Sequence, residues 1–193
     1  MSASADRSAP TRAIRQSEQV PSWGEPDPAR NGLRTVLGRY PTGVALITGV
    51  RPAPEDSPLG LVVGTFTSVS QEPALVGFLP ARTSTTWPRI RAGGRFCVNV
   101  LGADQQQVCE AFLRRDEDRW DMPSEPSPSG CLILPEALAW VDCELVTQTG
   151  AGDHWFVVGA VCSSGLLRSG PPLLYLGGRY GTCTPHAAAP LGR

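Results

Sequence analysis

A run of hydroxyl-bearing residues is the segment best suited to bind an anion. Thr83, Ser84 and Thr85 form its first part, and Thr86 continues it into the next element. The first part follows Arg82 and precedes a short predicted helix at residues 86–92. Hydroxyls and free amides at a helix start favour negative charge, and the arginine adds a cation. Because an ordinary helix cap is the commoner explanation for such an isolated turn, the residues alone leave both interpretations open.

Acid–base chemistry is sparsely provided for, because the chain has only two histidines, His154 and His186. A nucleophilic hydrolase needs Ser or Cys with a histidine base, and no GxSxG elbow occurs. His154 follows the turn Gly150-Ala151-Gly152-Asp153, which lacks the third glycine of a dinucleotide loop. A lone histidine in a hairpin is more often a surface or capped residue. The pattern therefore indicates a bound cofactor that carries the reaction.

The six cysteines show neither a CxxC pair nor metal-ligand spacing, so we expect no metal site. They are Cys97, Cys109, Cys131, Cys143, Cys162 and Cys183. We expect them to be small core residues with reduced thiols. A disulfide framework is possible in principle, but a chain with its own core does not need one.

The elements that must position these residues are mostly short strands. Apolar or β-branched runs predict strands at residues 44–50, 60–70, 74–79, 95–101, 137–147, 155–161 and 173–176. Helices are expected from Asn31 to Tyr40, at residues 86–92 and from Asp104 to Arg114. The first should pack Leu33, Leu37 and Tyr40 against a barrel. Frequent Gly and Pro between short strands favour a closed or nearly closed antiparallel barrel with two glycines in the hairpin turn at residues 150–153.

Length and composition predict one domain with loose ends. The 193 residues are 41% hydrophobic, which is enough for a core. Residues 1–30 are rich in Ser, Ala, Pro and Arg and are expected to be disordered, the domain to span residues 31–182, and residues 183–193 to be flexible. The net charge is −1 with scattered basic residues, so we expect no nucleic-acid or membrane partner. With no apolar run near the roughly 20 residues of a membrane span, we expect a cytoplasmic protein.

Four segments in order resemble the flavin reductase family, whose fold is an FMN-binding split barrel, over roughly residues 33–181. They are Arg39-Tyr40-Pro41-Thr42-Gly43-Val44; Gly60-Leu61-Val62-Val63-Gly64-Thr65-Phe66-Thr67-Ser68-Val69-Ser70 with Glu72-Pro73; Arg82-Thr83-Ser84-Thr85-Thr86-Trp87-Pro88; and Gly152-Asp153-His154-Trp155-Phe156-Val157-Val158-Gly159 with Pro172-Leu173-Leu174-Tyr175-Leu176-Gly177-Gly178-Arg179-Tyr180-Gly181. The second is the most specific. The resemblance implies a mainly β fold, an antiparallel six-stranded barrel with a few short flanking helices.

The resemblance also implies site residues and cofactors. FMN or FAD would bind at Thr42, Gly64, Thr65, Phe66, Ser68 and Ser70, and its phosphate at Arg82, Thr83, Ser84 and Thr85. NADH or NADPH would stack on the open flavin face beside the catalytic His154 and Tyr180 and pass hydride to flavin N5. A homodimer with flavin near its interface and a separate flavin-dependent oxygenase or halogenase that receives reduced flavin are implied as well.

Three of the segments named above, or their direct continuations, depart from the family pattern. Gly64-Thr65 replaces the usual Asn-Ser, Trp87 replaces an aliphatic residue, and Ala160 replaces a glutamate. Two alternatives to the reductase stay open, and these departures favour the first of them. One is a flavoenzyme that retains its flavin and acts on an organic substrate; the other is a non-catalytic flavin-binding module.

Overall fold

The computed structural model describes residues 15–17, 30–50 and 58–184. Its helices are α1 (Arg30–Leu37), α2 (Trp87–Ala92) and α3 (Gln106–Arg114), with a 3-10 turn at Ala103–Gln105 before α3. Its strands are β1 (Arg15–Ser17), β2 (Thr42–Gly43), β3 (Ala45–Val50), β4 (Pro58–Val63), β5 (Thr67–Gln71), β6 (Ala74–Phe78), β7 (Arg95–Val100), β8 (Glu125–Pro126), β9 (Leu132–Ile133), β10 (Ala139–Ala151), β11 (His154–Leu166), β12 (Leu174–Leu176) and β13 (Arg179–Gly181).

The main sheet is antiparallel along the path β4-β3-β7-β10-β11-β6-β5. If these seven strands lay flat, the two edge strands would be about 29 Å apart, because neighbouring strands are spaced by roughly 4.8 Å. The chain joins β4 to β5 through residues 64–66, a link that reaches at most about 15 Å. The sheet must therefore curl and bring its edges together. The predicted mainly β antiparallel barrel is confirmed, with seven strands along this path where six were expected.

The extra strand comes from a break in the predicted strand at residues 60–70. Its first half, β4, pairs with β3, and its second half, β5, pairs with β6 at the other edge of the sheet. The chain bends at Gly64 between the two. A continuous apolar and hydroxyl pattern gives no sign of this change of partner, because both halves have the composition of a strand.

The core has two layers that share β3. Ala45 and Ile47 face a buried cluster inside the curled sheet, together with Phe78 and Phe96. Val44, Leu46 and other residues of the opposite face contact a second cluster formed with α3 and with Leu173. This second layer attaches the small sheet β13-β12-β2 to the barrel.

The prediction that α1 packs on the barrel is wrong for the single chain. Leu33, Leu37 and Tyr40 are 58%, 59% and 72% exposed. The outer face of β3 is covered instead by α3 and Leu173, so α1 finds no apolar surface there. Asn31 lies within the helix, which begins at Arg30, and is not its cap.

Smaller corrections concern the cysteines, the hairpin and the strands. Four cysteines are buried as predicted, but Cys162 and Cys183 are exposed. In the hairpin only Gly152 has a positive φ, 61°, and Gly150 continues β10. The short strands β8, β9 and β13 were not predicted, because runs of two or three residues carry no periodicity.

The predicted disorder of residues 1–30 falls largely outside the described residues. Within that segment, Arg15–Ser17 forms β1, which pairs in parallel with Thr147, Gln148 and Thr149 of β10. The flexibility predicted for residues 183–193 is likewise mostly outside the described part of the chain. Across the described residues, none of the helices has the length and apolarity to cross a membrane.

Candidate functional site

Two loops meet at one end of the main sheet. We call residues 82–86 the hydroxyl turn and residues 151–154 the histidine turn. The amide of Arg82 donates to the carbonyl of Asp153 at 2.8 Å, and the amide of Trp155 donates to the carbonyl of Pro80 at 2.9 Å. Ala81 and His154 also form a β-bridge. Two segments about 70 residues apart in the chain are thus joined by backbone bonds into one surface.

The hydroxyl turn is anchored in the core by Trp87. The indole is 2% exposed, its Nε1–H donates to Oε1 of Gln148 at 3.0 Å, and its ring meets Phe78 edge to face at 5.3 Å. Trp87 therefore points into the core and leaves the outer side of the turn to its hydroxyls. Gln148, at 3% exposure, is a supporting residue that the sequence did not reveal, since a glutamine in a strand has no distinctive pattern.

Ser84 satisfies one of the free amides at the start of α2, although the N-cap residue itself is Thr86. Its Oγ accepts a hydrogen bond from the amide of Trp87 at 3.1 Å. A serine hydroxyl that accepts one bond still has its proton to donate. The cap and the anion site are therefore compatible at Ser84.

Thr85 contacts a residue that the sequence analysis did not select. The guanidinium of Arg115 donates from Nη2 to Oγ1 of Thr85 at 3.1 Å. Arg115 follows α3 and lies 30 residues further along the chain. Only the packing of α3 beside the hydroxyl turn brings the two together.

Arg82 faces the histidine turn. Its guanidinium carbon lies 4.3 Å from the centre of the Trp155 ring, which is a cation–π contact. Arg82, which the sequence associated with the anion site, is thus held on the Trp155 ring, next to His154. Thr83 is exposed at the surface of the same turn.

His154 is held by its neighbour. Its Nδ1 lies 2.8 Å from Oδ1 of Asp153, and the imidazole is 40% exposed. Because an ionised carboxylate only accepts hydrogen bonds, Nδ1 carries the proton in this contact. Nε2 is then the nitrogen through which His154 can act on a ligand.

The bend between β4 and β5 closes the surface on another side. A Cβ on Gly64 would lie 3.0 Å from Oγ1 of Thr42, so the backbone at Gly64 approaches Thr42 closely. Oγ1 of Thr65 accepts a hydrogen bond from the amide of Leu79 at 2.9 Å, which ties the bend to the chain just before the hydroxyl turn. Phe66 packs against the barrel core.

Strand β5, with Ser68 and Ser70, forms the edge of the main sheet. Among the described residues it pairs only with β6, so one row of its backbone amides and carbonyls has no strand partner. The register shifts between Ser68 and Ser70, which interrupts the pairing with β6 locally. Such an edge offers the amide donors that the N1–C2=O side of an isoalloxazine ring requires.

Tyr180 is placed differently from His154. It lies in β13 of the small sheet, two strands from Thr42, and its hydroxyl is 2.9 Å from Sγ of Cys109 in α3. Burial and this hydrogen bond raise the pKa of Tyr180, and burial raises the pKa of the Cys109 thiol. The hydroxyl is therefore protonated and directed to α3, whereas the ring contacts Tyr175 at 5.3 Å.

Together these residues fit a flavin nucleotide. The hydroxyl turn with Arg115 suits a phosphate, and the Gly64 bend with the β5 edge suits a flat ring with polar edges. In the described part of the chain, no three His, Cys, Asp or Glu side chains form a group that could hold a metal ion.

Comparison with known proteins gives a consistent result. A model of the flavin reductase like domain matches residues 37–184. A flavin reductase of Pseudomonas putida is 44% identical over 150 residues, which cover 77% of this chain and 87% of that protein. The reductase subunit HsaB of a flavin-dependent monooxygenase from Rhodococcus jostii is 40% identical over 165 residues, covering 85% and 82% of the two chains.

A solved structure has the same fold. The nitrilotriacetate monooxygenase component B homologue from Mycobacterium thermoresistibile superposes with a TM-score of 0.79 at 35% identity, covering 85% of this chain and 92% of that chain.

Proposed function

The chain belongs to the flavin reductase like family, and we propose that it is the reductase component of a two-component flavin system. In this role it oxidises NADH or NADPH, reduces FMN or FAD, and supplies the reduced flavin to a separate oxygenase or halogenase. The observation that carries the proposal is the backbone joining of the hydroxyl turn to the histidine turn, because it brings Ser84 and Thr85 onto the same surface as His154 and so supports a phosphate site beside the histidine.

The flavin nucleotide is held at two ends. Ser84 and Thr85 bind the phosphate, with Thr83 at the rim of the same turn. The isoalloxazine lies against the bend at Gly64, Thr65 and Phe66 and along the edge that carries Ser68 and Ser70, with Thr42 behind Gly64. When bound, the flavin supplies the redox chemistry by accepting hydride from the reduced nicotinamide.

The nicotinamide nucleotide binds on the side of the histidine turn. Asp153 fixes the imidazole so that Nε2 of His154 orients the carboxamide or a phosphate of the dinucleotide. Arg82, held over Trp155, adds positive charge to the same side. Tyr180 contributes its ring to the stacking surface, since its hydroxyl is bonded to Cys109. The protein thereby aligns two rings and needs no proton carrier of its own.

The assembly we propose is a homodimer, formed by the apolar side chains of α1. Leu33, Val36, Leu37 and Tyr40 are exposed, and so are Tyr175 and Leu176. The two groups adjoin, because the amide of Gly177 donates to the carbonyl of Gly38 at 2.8 Å. Contiguous apolar surface of this kind favours a partner. Light scattering should give a dimer mass for the full chain and a monomer mass for Leu37→Glu; a monomeric parent contradicts the proposal.

We propose residues 31–182 as the functional domain, in a cytoplasmic protein that has access to nicotinamide and flavin pools. Neither nucleic acid nor a membrane is part of the proposed activity.

One assay tests the proposed activity. The purified full chain is mixed with NADH or NADPH, and oxidation is followed at the nicotinamide absorbance band before and after FMN or FAD is added. For a reductase, the rate of nicotinamide oxidation depends on the added flavin. Flavin that stays bound without nicotinamide oxidation favours a retained-flavin enzyme or a binding module and contradicts the reductase.

A further inference from the structure

Two adjacent arginines at the end of α3 have different partners. Arg114 forms ion pairs with Glu110 at 3.3 Å and with Asp116 at 3.1 Å. Arg115 has no carboxylate partner, and its side chain makes one hydrogen bond among the described residues, to the hydroxyl of Thr85. The charge of Arg114 is therefore neutralised within its own helix end, whereas the charge of Arg115 is directed to the hydroxyl turn.

The backbone aims Arg115 away from the helix. It is the C-cap residue of α3 and has φ 61° and ψ 39°, a left-handed conformation that usually selects glycine. Among the described residues it is the only one other than glycine with a positive φ. Arg119 donates from Nη1 to the carbonyl of Arg115 at 3.2 Å and so supports this backbone position. The side chain leaves the helix end and crosses to Thr85.

The hydroxyl turn thus has a cation near each end. Arg82 begins the turn and lies over Trp155, beside the histidine turn. Arg115 comes from the end of α3 and contacts Thr85. Since the Thr85 oxygen accepts from Arg115, the Thr85 hydroxyl proton is free to donate to a ligand.

We infer that Arg115, and not Arg82, is the cation that binds the 5′-phosphate of the flavin nucleotide. This inference rests on the proposed flavin site. A guanidinium has five N–H donors in a planar fork, and one of them is used by Thr85. The remaining donors and the Thr85 hydroxyl converge on one phosphate from the same side. Arg115 then selects phosphorylated flavins over riboflavin, and Arg82 is left to the nicotinamide side.

The test compares three ligands in four proteins by quenching of flavin fluorescence. FMN, FAD and riboflavin are titrated into the parent, Arg115→Gln, Arg115→Lys and the matched control Arg114→Gln, which removes the same charge one residue away. Loss of a charge-assisted hydrogen bond should weaken FMN binding about tenfold in Arg115→Gln and leave riboflavin within twofold. Arg115→Lys should recover part of the loss, and Arg114→Gln should match the parent.

A fourth variant separates binding from folding. Arg115→Gly suits the left-handed backbone, so it should unfold at the same denaturant concentration as the parent or a higher one while still losing FMN affinity. Equal weakening of FMN and riboflavin, or equal effects of Arg114→Gln and Arg115→Gln, overturns the assignment of Arg115. A parent chain that binds none of the three flavins overturns the proposed function instead, and the two failures are therefore distinct.

Discussion

The hydroxyl turn and the histidine turn lie side by side but are built differently. The hydroxyl turn is anchored in the core by the buried Trp87, its Ser84 accepts a hydrogen bond from the amide of that residue, and Arg115 contacts it from α3. The histidine turn is the end of a long hairpin, and its polar side chains, Asp153 and His154, contact one another at the surface. In the proposed function, the firmly supported turn binds the flavin phosphate and the exposed hairpin end contacts the nicotinamide nucleotide. We therefore expect substitutions at the first to alter flavin affinity and stability, and substitutions at the second to alter nicotinamide kinetics.

The largest effect is expected for the anchor of the hydroxyl turn. Trp87→Ala should lower the free energy of unfolding by about 3–5 kcal/mol, because it empties a buried site next to Phe78 and leaves Gln148 without its donor. Urea denaturation measures the change. Trp87→Phe keeps most of the ring contacts and should lose about 1–3 kcal/mol. A loss below 1 kcal/mol in Trp87→Ala would show that the anchor does not support the turn.

Removing both hydroxyls should have the next largest effect, mainly on flavin binding, with a small loss of stability because Ser84 no longer accepts the Trp87 amide. The double variant Ser84→Ala/Thr85→Ala should weaken FMN about a hundredfold, since it removes two hydrogen bonds to a charged group. Riboflavin, which has no phosphate, should bind almost as before. Fluorescence titration with both ligands makes the comparison, and equal weakening of the two would restore the plain helix cap as the role of Ser84.

A change in the histidine turn should alter turnover and leave flavin affinity unchanged. His154→Ala should lower kcat/KM for NAD(P)H by about tenfold to a hundredfold, the effect of losing one or two positioning contacts. A rise in KM alone would indicate ground-state binding, and a matching fall in kcat would indicate alignment during hydride transfer. Asp153→Asn serves as the companion variant, because it keeps the shape of the turn but removes the carboxylate that orients Nδ1. Parental rates in His154→Ala would make His154 a turn residue only.

The smallest effect is expected at Tyr180. Tyr180→Phe removes the hydroxyl bonded to Cys109 but keeps the ring, so kcat/KM should stay within about twofold of the parent. Tyr180→Ala removes the ring as well and should lower kcat/KM more. Steady-state kinetics of both variants distinguish a role of the Tyr180 ring from a role of its hydroxyl. A large loss of kcat/KM in Tyr180→Phe would assign the role to the hydroxyl and contradict the proposed role of the ring.

Much of the fold could be predicted because its signals are local. Alternating apolar residues marked most strands of the main sheet, and Gly152 with Asp153 marked the hairpin turn. The side chains of the hydroxyl turn could be recognised because four hydroxyl residues, 83–86, are consecutive in the sequence. Their assignment to a flavin came from the resemblance of whole segments, not from the residues taken singly.

The contacts between distant segments could not be predicted in this way. Nothing near Arg115 in the sequence distinguishes it from Arg114, yet one is paired within its helix end and the other reaches Thr85. Arg82 stands next to the hydroxyls in sequence but contacts Trp155 in space. Leu37 and Tyr40 are exposed, although their amphipathic pattern indicated burial. Such a pattern predicts an apolar face but does not specify which surface covers that face.

The sequence by itself determined the local elements, the hairpin turn and the position of a hydroxyl run before α2, since backbone preference and side-chain periodicity act over a few residues. The tertiary structure decided which cation lies at which turn, that Trp87 supports the hydroxyl turn from the core, and that the Tyr180 hydroxyl is bonded to Cys109. Those outcomes depend on how the curled sheet stacks α3 and the small sheet on its outer face. Packing of this kind is set by surfaces from the whole chain, and its contacts join residues between 30 and 73 positions apart.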